Sequence, residues 1–322
     1  MTIDSIIHCP CCAHALPAPL PECPVCGCAI PTQANDSGRL LRNGELRLIE
    51  RLGGGGMGSL YLAEDTLNGQ QRVVKELRSP VSRKTRNTFE TMFDQEARLL
   101  ARLSKEHAAI PRYYDAFMDS GSFYIVLEYV PGQNLEQYLK AQGGTLPLAE
   151  VVEISSQVVD VLCIIHYLRP DPVIHGDIKP SNLIRRPDGQ IVLIDFGLAR
   201  VNVAPPPYMP ARSSAFGTPG YSPIEQWEGH PGPAADIFAL GATIHQLISG
   251  RNPREPFINM ARVTLSEIST LTNFPPITNL VPETPPILET LITQMLRRRP
   301  VERPSTQDVR ARLQRLSTFQ TG

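Results

Sequence analysis

Between residues 45 and 130 the chain alternates short apolar stretches with polar and turn residues, a pattern typical of β-strands that bury one face. The predicted strands are Glu45–Leu52, Leu60–Ala63, Arg72–Lys75 and Phe123–Val130. Thr88–Leu103 instead carries apolar residues at helical spacing and predicts one amphipathic helix. We therefore expect this part of the chain to form an antiparallel sheet with one helix.

From residue 133 onward the pattern becomes mainly helical. The clearest predicted helices are Leu148–Leu168, Ala234–Ser249 and Pro286–Leu296, with short buried strands at Val173–Ile174 and Ile191–Ile194. The change in pattern predicts an α+β fold with two lobes around a cleft. The expected bounds are 45–127 for the N-lobe, 128–132 for a hinge and 133–318 for the C-lobe.

Composition and charge are those of an ordinary soluble protein and exclude few functions. The 322 residues are 42% hydrophobic and 20% charged, and the net charge of -1 gives no support for binding nucleic acid or an anionic membrane. The long apolar run Val151–Leu168 is interrupted by Glu153, Asp160 and His166, so it predicts a core helix and no membrane span. Since the start also lacks the pattern of a signal peptide, we expect a cytoplasmic protein.

The cysteines are concentrated at the start of the chain. Six of the seven lie between Cys9 and Cys28, whereas Cys163 stands alone in a predicted core helix. Such clustering in a reducing compartment favours metal binding over disulfides. We expect a small cysteine-rich module over residues 1–30, followed by a polar linker over 31–44.

Two CxxC pairs, Cys9/Cys12 and Cys23/Cys26, give this module the spacing of a four-thiolate site, which favours tetrahedral zinc. The arrangement resembles a short zinc ribbon, and iron remains an alternative because similar pairs bind it. An oxidation sensor and unbound thiols are the other readings. The module could recruit a partner protein, regulate the rest of the chain or only cap the first lobe.

The main chemical signal is the stretch His175–Asn182, followed by Asp195-Phe196-Gly197. Phosphoryl transfer from ATP needs magnesium on the phosphates and a hydroxyl aimed at the γ-phosphorus. Asn182 and Asp195 are residue types that hold magnesium, while Asp177 can accept the proton of the attacking hydroxyl. Lys179 can reach the γ-phosphate. The order and spacing of these residues predict a kinase active site.

The first predicted lobe carries residues suited to nucleotide binding. Gly53, Gly55 and Gly58 form a glycine-rich loop whose backbone amides can approach phosphates. Lys75 ends the third predicted strand, where it can pair with the α- and β-phosphates, and Glu96 on the next helix is its expected ion-pair partner.

The adenine ring is expected between apolar side chains, with backbone groups at its edge. Leu60, Val73 and Ile184 are the predicted apolar walls, and the backbone from Glu128 to Val130 is the predicted edge contact. These apolar residues could equally serve as core, and the two roles are compatible.

Taken together, residues from about Glu45 to Leu316 resemble a bacterial, eukaryotic-like (Hanks-type) serine/threonine protein kinase. The resemblance extends to Gly217–Gln226, which is similar to the end of an activation segment. It implies the bilobal protein kinase fold, ATP and Mg²⁺ as cofactors, and proteins as substrates. Lys179 together with Thr218 resembles the serine/threonine subclass, so serine and threonine hydroxyls are the expected acceptors.

The resemblance also gives roles to residues outside the catalytic motif. Asp236 is similar to the helix aspartate that anchors the catalytic loop, and Arg303 to the arginine that pairs with Glu225. Ser213 and Ser214, in the activation segment, are candidate autophosphorylation sites.

Three positions depart from the family pattern. Gly176 replaces the arginine that pairs with a phosphorylated activation loop, so activation is expected to depend less on that phosphorylation. Ile224 replaces a proline, and Asn134 stands where an acidic ribose contact is common. The rival interpretation is a pseudokinase scaffold that binds nucleotide and recruits partners. Its signature would be the loss of Lys75, Asp177 or Asp195, and all three are present.

Overall fold

The computed structural model describes residues 7–8, 15–16, 36–55, 58–77, 83–201, 217–258, 260 and 263–319. The chain divides into two compact units: the first takes in residues up to 101 and 112–129, and the second takes in 102–111 and 130 onward. The predicted metal ligands Cys9, Cys12, Cys23 and Cys26 and the serines Ser213 and Ser214 lie outside the described residues.

The first unit is built on antiparallel sheet. Two short strands, β1 (Ile7–His8) and β2 (Ala15–Leu16), pair with each other. The main sheet has six strands in the order β3-β4-β5-β6-β8-β7. They are β3 (Leu40–Leu41), β4 (Leu46–Gly55), β5 (Gly58–Asp65), β6 (Gln71–Leu77), β7 (Tyr113–Asp119) and β8 (Ser122–Glu128). One helix, α1 (Arg83–Leu103), follows β6.

Side-chain alternation along β6 gives the sheet two different faces. Val74 is fully buried in an apolar core, while Val73 and Lys75 point to the opposite face because successive side chains alternate in a strand. The core is formed by Leu41, Leu46, Leu48, Tyr61, Ala63, Val74, Tyr124 and Val126. The sequence placed Lys75 at the end of a strand, whereas β6 continues to Leu77. Because Lys75 alternates with Val74, its side chain lies on the face of the sheet away from this core.

Residues 36–44, assigned to a linker from their polar composition, pack against this sheet. Leu40–Leu41 pairs with the start of β4, and the Gly38 nitrogen donates a 2.7 Å hydrogen bond to the Leu48 carbonyl. Leu41 is only 2% exposed. A two-residue strand is too short to produce a readable alternation, so the sequence did not indicate it.

The same segment completes a polar cluster beneath the sheet, which we call the Glu76 cluster. The Tyr124 hydroxyl donates a 2.7 Å hydrogen bond to the Glu76 carboxylate. Arg39 contacts both Tyr124 and Glu76, and the Tyr61 hydroxyl donates to Asp36 at 2.7 Å. Burial and the bond to Asp36 raise the pKa of Tyr61 to about 12.

Several element bounds differ from the sequence prediction. β4 continues to Gly55, through the glycines that were expected to form the turn, and α1 begins at Arg83 instead of Thr88. Strand β7 was not predicted, because none of its residues is fully buried and its half-buried and exposed positions do not alternate regularly. Its pairing with β8 also shifts register between Tyr113 and Asp115.

The second unit is mainly helical. Its helices are α2 (Leu135–Ala141), α3 (Leu148–His166), α4 (Ile224–Trp227), α5 (Pro233–Ser249), α6 (Leu265–Leu271), α7 (Pro286–Met295) and α8 (Thr306–Phe319). Short strands β9 (Gln133–Asn134), β11 (Leu183–Arg185) and β12 (Ile191–Leu193) form one small sheet. Strands β10 (Val173–Ile174) and β13 (Arg200–Val201) form another.

Helix α5 is the centre of this unit. Every residue from Ala235 to Ile248 is buried, and the helix packs against α3 and α7. Gly241 permits the close approach of α7, since an added Cβ would lie 2.9 Å from the Met295 Cβ. Across the described ranges, no helix is long and apolar enough to cross a membrane. The α+β fold predicted from the sequence is confirmed, with an antiparallel sheet unit and a helical unit.

Candidate active site

In the first unit, Lys75 and Glu96 form an ion pair. Lys75 Nζ lies 2.7 Å from Glu96 Oε1, and the two side chains are 21% and 18% exposed. Lys75 is in β6 and Glu96 is in α1, so the pair joins the helix to the sheet. A lysine held at this depth keeps its ammonium group in a fixed position, which is what recognition of a phosphate group needs.

The predicted glycine-rich loop is the hairpin between β4 and β5. Gly53 pairs with Leu60 and Gly55 with Gly58, and residues 56–57 are not described. An added Cβ on Gly58 would collide with the Glu76 carbonyl of β6. Gly58 is thus required by the packing of β5 on β6, whatever it does for phosphate.

The predicted adenine-site residues are divided between the two units. In the first unit Leu60 pairs with Lys75, so its side chain lies on the same face of the sheet as Lys75 and Val73. Glu128 ends β8, where its nitrogen donates a 2.8 Å hydrogen bond to the Arg112 carbonyl. In the second unit Val130 is 5% exposed and Ile184 is a half-buried residue of β11.

In the second unit, Asp236 fixes the backbone of the loop after β10, residues 175–182, which the sequence predicts to be the catalytic loop. Its carboxylate is fully buried and accepts 2.8 Å hydrogen bonds from the nitrogens of His175 and Gly176. It also contacts His166 Nε2 at 2.9 Å. Burial alone would raise the pKa of Asp236, but the hydrogen bond and charge of His166 and the backbone donor hold it below its usual value. A helix aspartate therefore holds the loop just before Asp177.

Asp177 is the centre of a compact group of polar side chains. Lys179 Nζ lies 2.7 Å from Asp177 Oδ2 and 2.8 Å from the Thr218 hydroxyl. That hydroxyl donates a 2.6 Å hydrogen bond to Asp177 Oδ1. Asn182 Nδ2 donates to the Asp177 carbonyl at 2.8 Å and to Oδ2 at 2.9 Å. The carboxylate is 7% exposed and oriented by three different neighbours, as a proton acceptor in catalysis has to be.

The segment of Asp195 is tied to the same loop. The Ile194 nitrogen donates a 2.9 Å hydrogen bond to the Asn182 carbonyl, and His175 Nε2 lies 3.1 Å from the Ile194 carbonyl. The His175 ring also meets the Phe196 ring edge to face, with centroids 4.7 Å apart. Asp195 itself has φ of 61° and an exposed side chain.

The two predicted magnesium ligands fit a hard cation in their chemistry. Asn182 uses its amide nitrogen on Asp177, which leaves its side-chain oxygen as the donor to a cation, and Asp195 adds an exposed carboxylate. Oxygen donors of this kind suit Mg²⁺. Within the described ranges, this site included, no group of three His, Cys, Asp or Glu side chains is arranged to hold a metal ion.

Comparison with known proteins agrees with this arrangement. The family model described as protein kinase domain matches residues 46–313. The chain belongs to the protein kinase family. It is 37% identical over 221 residues to a serine/threonine-protein kinase C of Synechocystis, covering 66% of this chain and 41% of that protein.

Other curated kinases match over a similar range. A serine/threonine-protein kinase PknA of Nostoc is 37% identical over 223 residues, 67% of this chain and 39% of that protein. A PrkC kinase of Bacillus subtilis is 32% identical over 212 residues, 66% of this chain and 31% of that protein. The chain thus covers well under half the length of these relatives.

Two positions that depart from the protein kinase pattern have structural roles here. Asn134 caps helix α2, because its side chain accepts a 2.9 Å hydrogen bond from the Gln137 nitrogen. Ile224 begins α4, and the neighbouring Glu225 still pairs with Arg303 Nη1 at 2.5 Å. The Arg303 side chain is fully buried, so this ion pair fixes α4 firmly.

Sequence reasoning missed two side chains that hold the segment Gly217–Gln226, which was predicted to end the activation segment. Ser222 Oγ accepts a 3.0 Å hydrogen bond from the Thr218 nitrogen. Gln226 Nε2 donates a 2.6 Å hydrogen bond to the Gly176 carbonyl. Both residues are buried, at 2% and 5% exposure. Their only signal in the sequence was their place inside the recognised segment, and nothing there identified their partners.

Proposed function

We propose that this protein is an ATP-dependent serine/threonine protein kinase. The observation that carries the proposal is the group of side chains around Asp177. Lys179 Nζ and the Thr218 hydroxyl each bind the Asp177 carboxylate, at 2.7 Å and 2.6 Å, and they lie 2.8 Å from each other. Family membership supports the reaction class. The names of the similar bacterial proteins support serine and threonine as acceptors.

In the proposed reaction, Asp177 accepts a hydrogen bond from the substrate hydroxyl and orients its oxygen toward the γ-phosphorus of ATP. A bond forms between that oxygen and phosphorus while the bond from phosphorus to the ADP oxygen breaks. The hydroxyl proton passes to Asp177, and Lys179 stabilises the negative charge on the transferred group.

Nucleotide binding is assigned to two sets of predicted residues. We assign the phosphates to Gly53, Gly55, Gly58 and Lys75, with Glu96 holding Lys75, and the adenine to Leu60, Val73, Glu128, Val130 and Ile184. Asn182 and Asp195 would hold Mg²⁺, which neutralises phosphate charge when bound. The support is the shared face of Leu60, Val73 and Lys75 and the side-chain oxygens of Asn182 and Asp195.

Phosphoamino-acid analysis tests both the reaction and the acceptor. The full chain is incubated with labelled ATP, Mg²⁺ and myelin basic protein, and the products are hydrolysed. We expect phosphoserine and phosphothreonine, on the test protein and on the chain itself. Phosphotyrosine alone would overturn the acceptor class. ATP binding without any transfer by folded protein would instead favour the pseudokinase scaffold.

The cysteine-rich module at residues 1–30 is assigned a structural zinc ion held by Cys9, Cys12, Cys23 and Cys26, and a role in binding a partner protein. The two CxxC pairs support this assignment. Elemental analysis of purified protein should give one zinc per chain, lost in Cys9→Ser and Cys23→Ser and kept in the control Cys163→Ser. Iron in place of zinc would overturn the metal assignment.

A cytoplasmic location is also proposed, because the cysteines of the proposed zinc site have to stay reduced to bind the metal, and disulfides form in oxidising compartments. Cell fractionation should recover the protein with soluble markers. Recovery with the membrane fraction would contradict this.

A further inference from the structure

Gln226 has a buried amide next to the catalytic loop, although the proposed chemistry gives it no task. The residue belongs to α4 and is 5% exposed. Its Nε2 donates a 2.6 Å hydrogen bond to the Gly176 carbonyl. That carbonyl belongs to the same peptide unit as the Asp177 nitrogen, so the hydrogen bond acts directly on the backbone that carries the aspartate.

The same amide lies against the end of the activation segment. An added Cβ on Gly217 would lie 2.7 Å from Gln226 Nε2 and would collide with the Ser222 hydroxyl. Gly217 has φ of 137°, a conformation that glycine adopts readily. It directly precedes Thr218, whose hydroxyl donates to Asp177. The Gln226 amide therefore lies between the two backbone segments that carry Thr218 and Asp177.

Gly176 is held from both sides. Its nitrogen donates a 2.8 Å hydrogen bond to Asp236 Oδ1, and its oxygen accepts from Gln226. Its φ of 78° is favourable for glycine and unfavourable for an arginine. The contact between activation segment and catalytic loop thus uses a neutral side-chain amide and a backbone carbonyl, and it needs no phosphate group.

We propose that Gln226 is a positioning residue for phosphoryl transfer. Its hydrogen bond joins the end of the activation segment to the catalytic loop and thereby keeps the Thr218 hydroxyl within hydrogen-bond distance of Asp177. This inference rests on the proposed function. It explains how a chain with glycine before its catalytic aspartate can keep the two segments together. A misplacement of the aspartate by a fraction of an ångström lowers the rate of transfer and leaves nucleotide binding intact.

The test uses two replacements of similar size, Gln226→Glu and Gln226→Met, in the full chain. Gln314→Glu is the matched control, since Gln314 is exposed on α8. With myelin basic protein as substrate, we expect kcat to fall about 10- to 100-fold and the KM for ATP to change less than about twofold. The control should be unchanged. Thermal melting followed by circular dichroism shows whether each variant is folded at the assay temperature.

A pH profile separates positioning from packing. An ionised carboxylate cannot donate to the Gly176 carbonyl, whereas a protonated one can, and burial beside a carbonyl oxygen raises the pKa of a carboxyl group. The kcat of Gln226→Glu relative to Gln226→Met should therefore rise as the pH is lowered from about 8 to about 6. The neighbouring charged and titratable groups are present in both variants and therefore enter both terms of the ratio: Asp177, Lys179, Glu225, Asp236, His166 and His175.

The outcomes distinguish the two proposals. An active wild type with full kcat in both Gln226 variants would overturn the positioning role and leave the kinase assignment standing. A parallel pH profile for the two variants would overturn the hydrogen-bond mechanism. An inactive wild type would overturn both proposals together.

Discussion

The Thr218 hydroxyl donates a 2.6 Å hydrogen bond to Oδ1 of Asp177, across 41 positions of sequence. Thr218 lies in the segment that leads into α4, while Asp177 lies in the loop after β10. The bond therefore joins two stretches of chain that have to be placed correctly for transfer, and it leaves Asp177 with a defined orientation.

Removing that hydroxyl should lower the rate. We expect Thr218→Ala to reduce kcat about tenfold, because a hydrogen bond to a charged group contributes about 1.5–3 kcal/mol and part of the orientation is kept by Lys179. Thr218→Ser keeps the hydroxyl and should retain most of the activity. Steady-state kinetics provide the measurement, with the exposed Thr290→Ala of α7 as control. Equal kcat for Thr218→Ala and wild type would contradict the assigned role.

Asp236 should make stability depend on pH. Because its pKa is lowered in the folded protein, it contributes stability above its unfolded pKa of about 3.9 and loses that contribution as the pH falls through the lower folded value. Asp236→Asn should therefore be less stable than wild type at neutral pH, by about 3 kcal/mol for loss of a buried charge partner. The difference should shrink below about pH 4. Urea unfolding at several pH values measures it, and a difference that grows in acid would contradict this account.

Through the Glu76 cluster, residues 36–44 should contribute to stability, although they precede the part of the chain that matches the protein kinase family model. Arg39→Ala leaves the buried Glu76 without its cation, and we expect a loss of about 2 kcal/mol in the free energy of unfolding. Arg47→Ala is the control: its side chain is 53% exposed and its surface pair with Glu64 is worth less than about 1 kcal/mol. Urea unfolding measures both losses. Equal losses in the two variants would show that the Glu76 cluster stabilises the protein no more than a surface ion pair does.

Gly176 offers a comparison between backbone strain and catalytic placement. Gly176→Ala and the control Gly189→Ala both place a side chain at positive φ, 78° and 88°, and each should lose about 1–2 kcal/mol of stability. Gly189 lies in the turn between β11 and β12, where an added Cβ would meet no non-neighbouring atom closer than 3.9 Å. Only Gly176→Ala should also lose kcat. A similar loss of kcat in both variants would show that the lower activity of Gly176→Ala comes from its lower stability and not from a misplaced Asp177.

The sequence predicted the elements with strong periodicity and the residues inside recognised motifs. Helix α5 and the ion pair of Lys75 with Glu96 were readable because a buried helix is apolar throughout and because the glycine-rich loop placed both residues in context. Strand β3 was not readable, since Leu40 and Leu41 are too few to show a period. Gln226 was missed for a different reason: its partner is a backbone carbonyl 50 residues away, which no local pattern encodes.

Phosphate transfer by matched variants tests the central claim most directly. Initial rates with labelled ATP, Mg²⁺ and myelin basic protein are measured for wild type, Lys75→Met and Asp177→Asn. The controls are Lys105→Met and Asp171→Asn, which change exposed residues of the same type. We predict that the two site variants lose at least about 100-fold in rate while the two controls match wild type. Full activity in Asp177→Asn, or no transfer by folded wild type, would contradict the account.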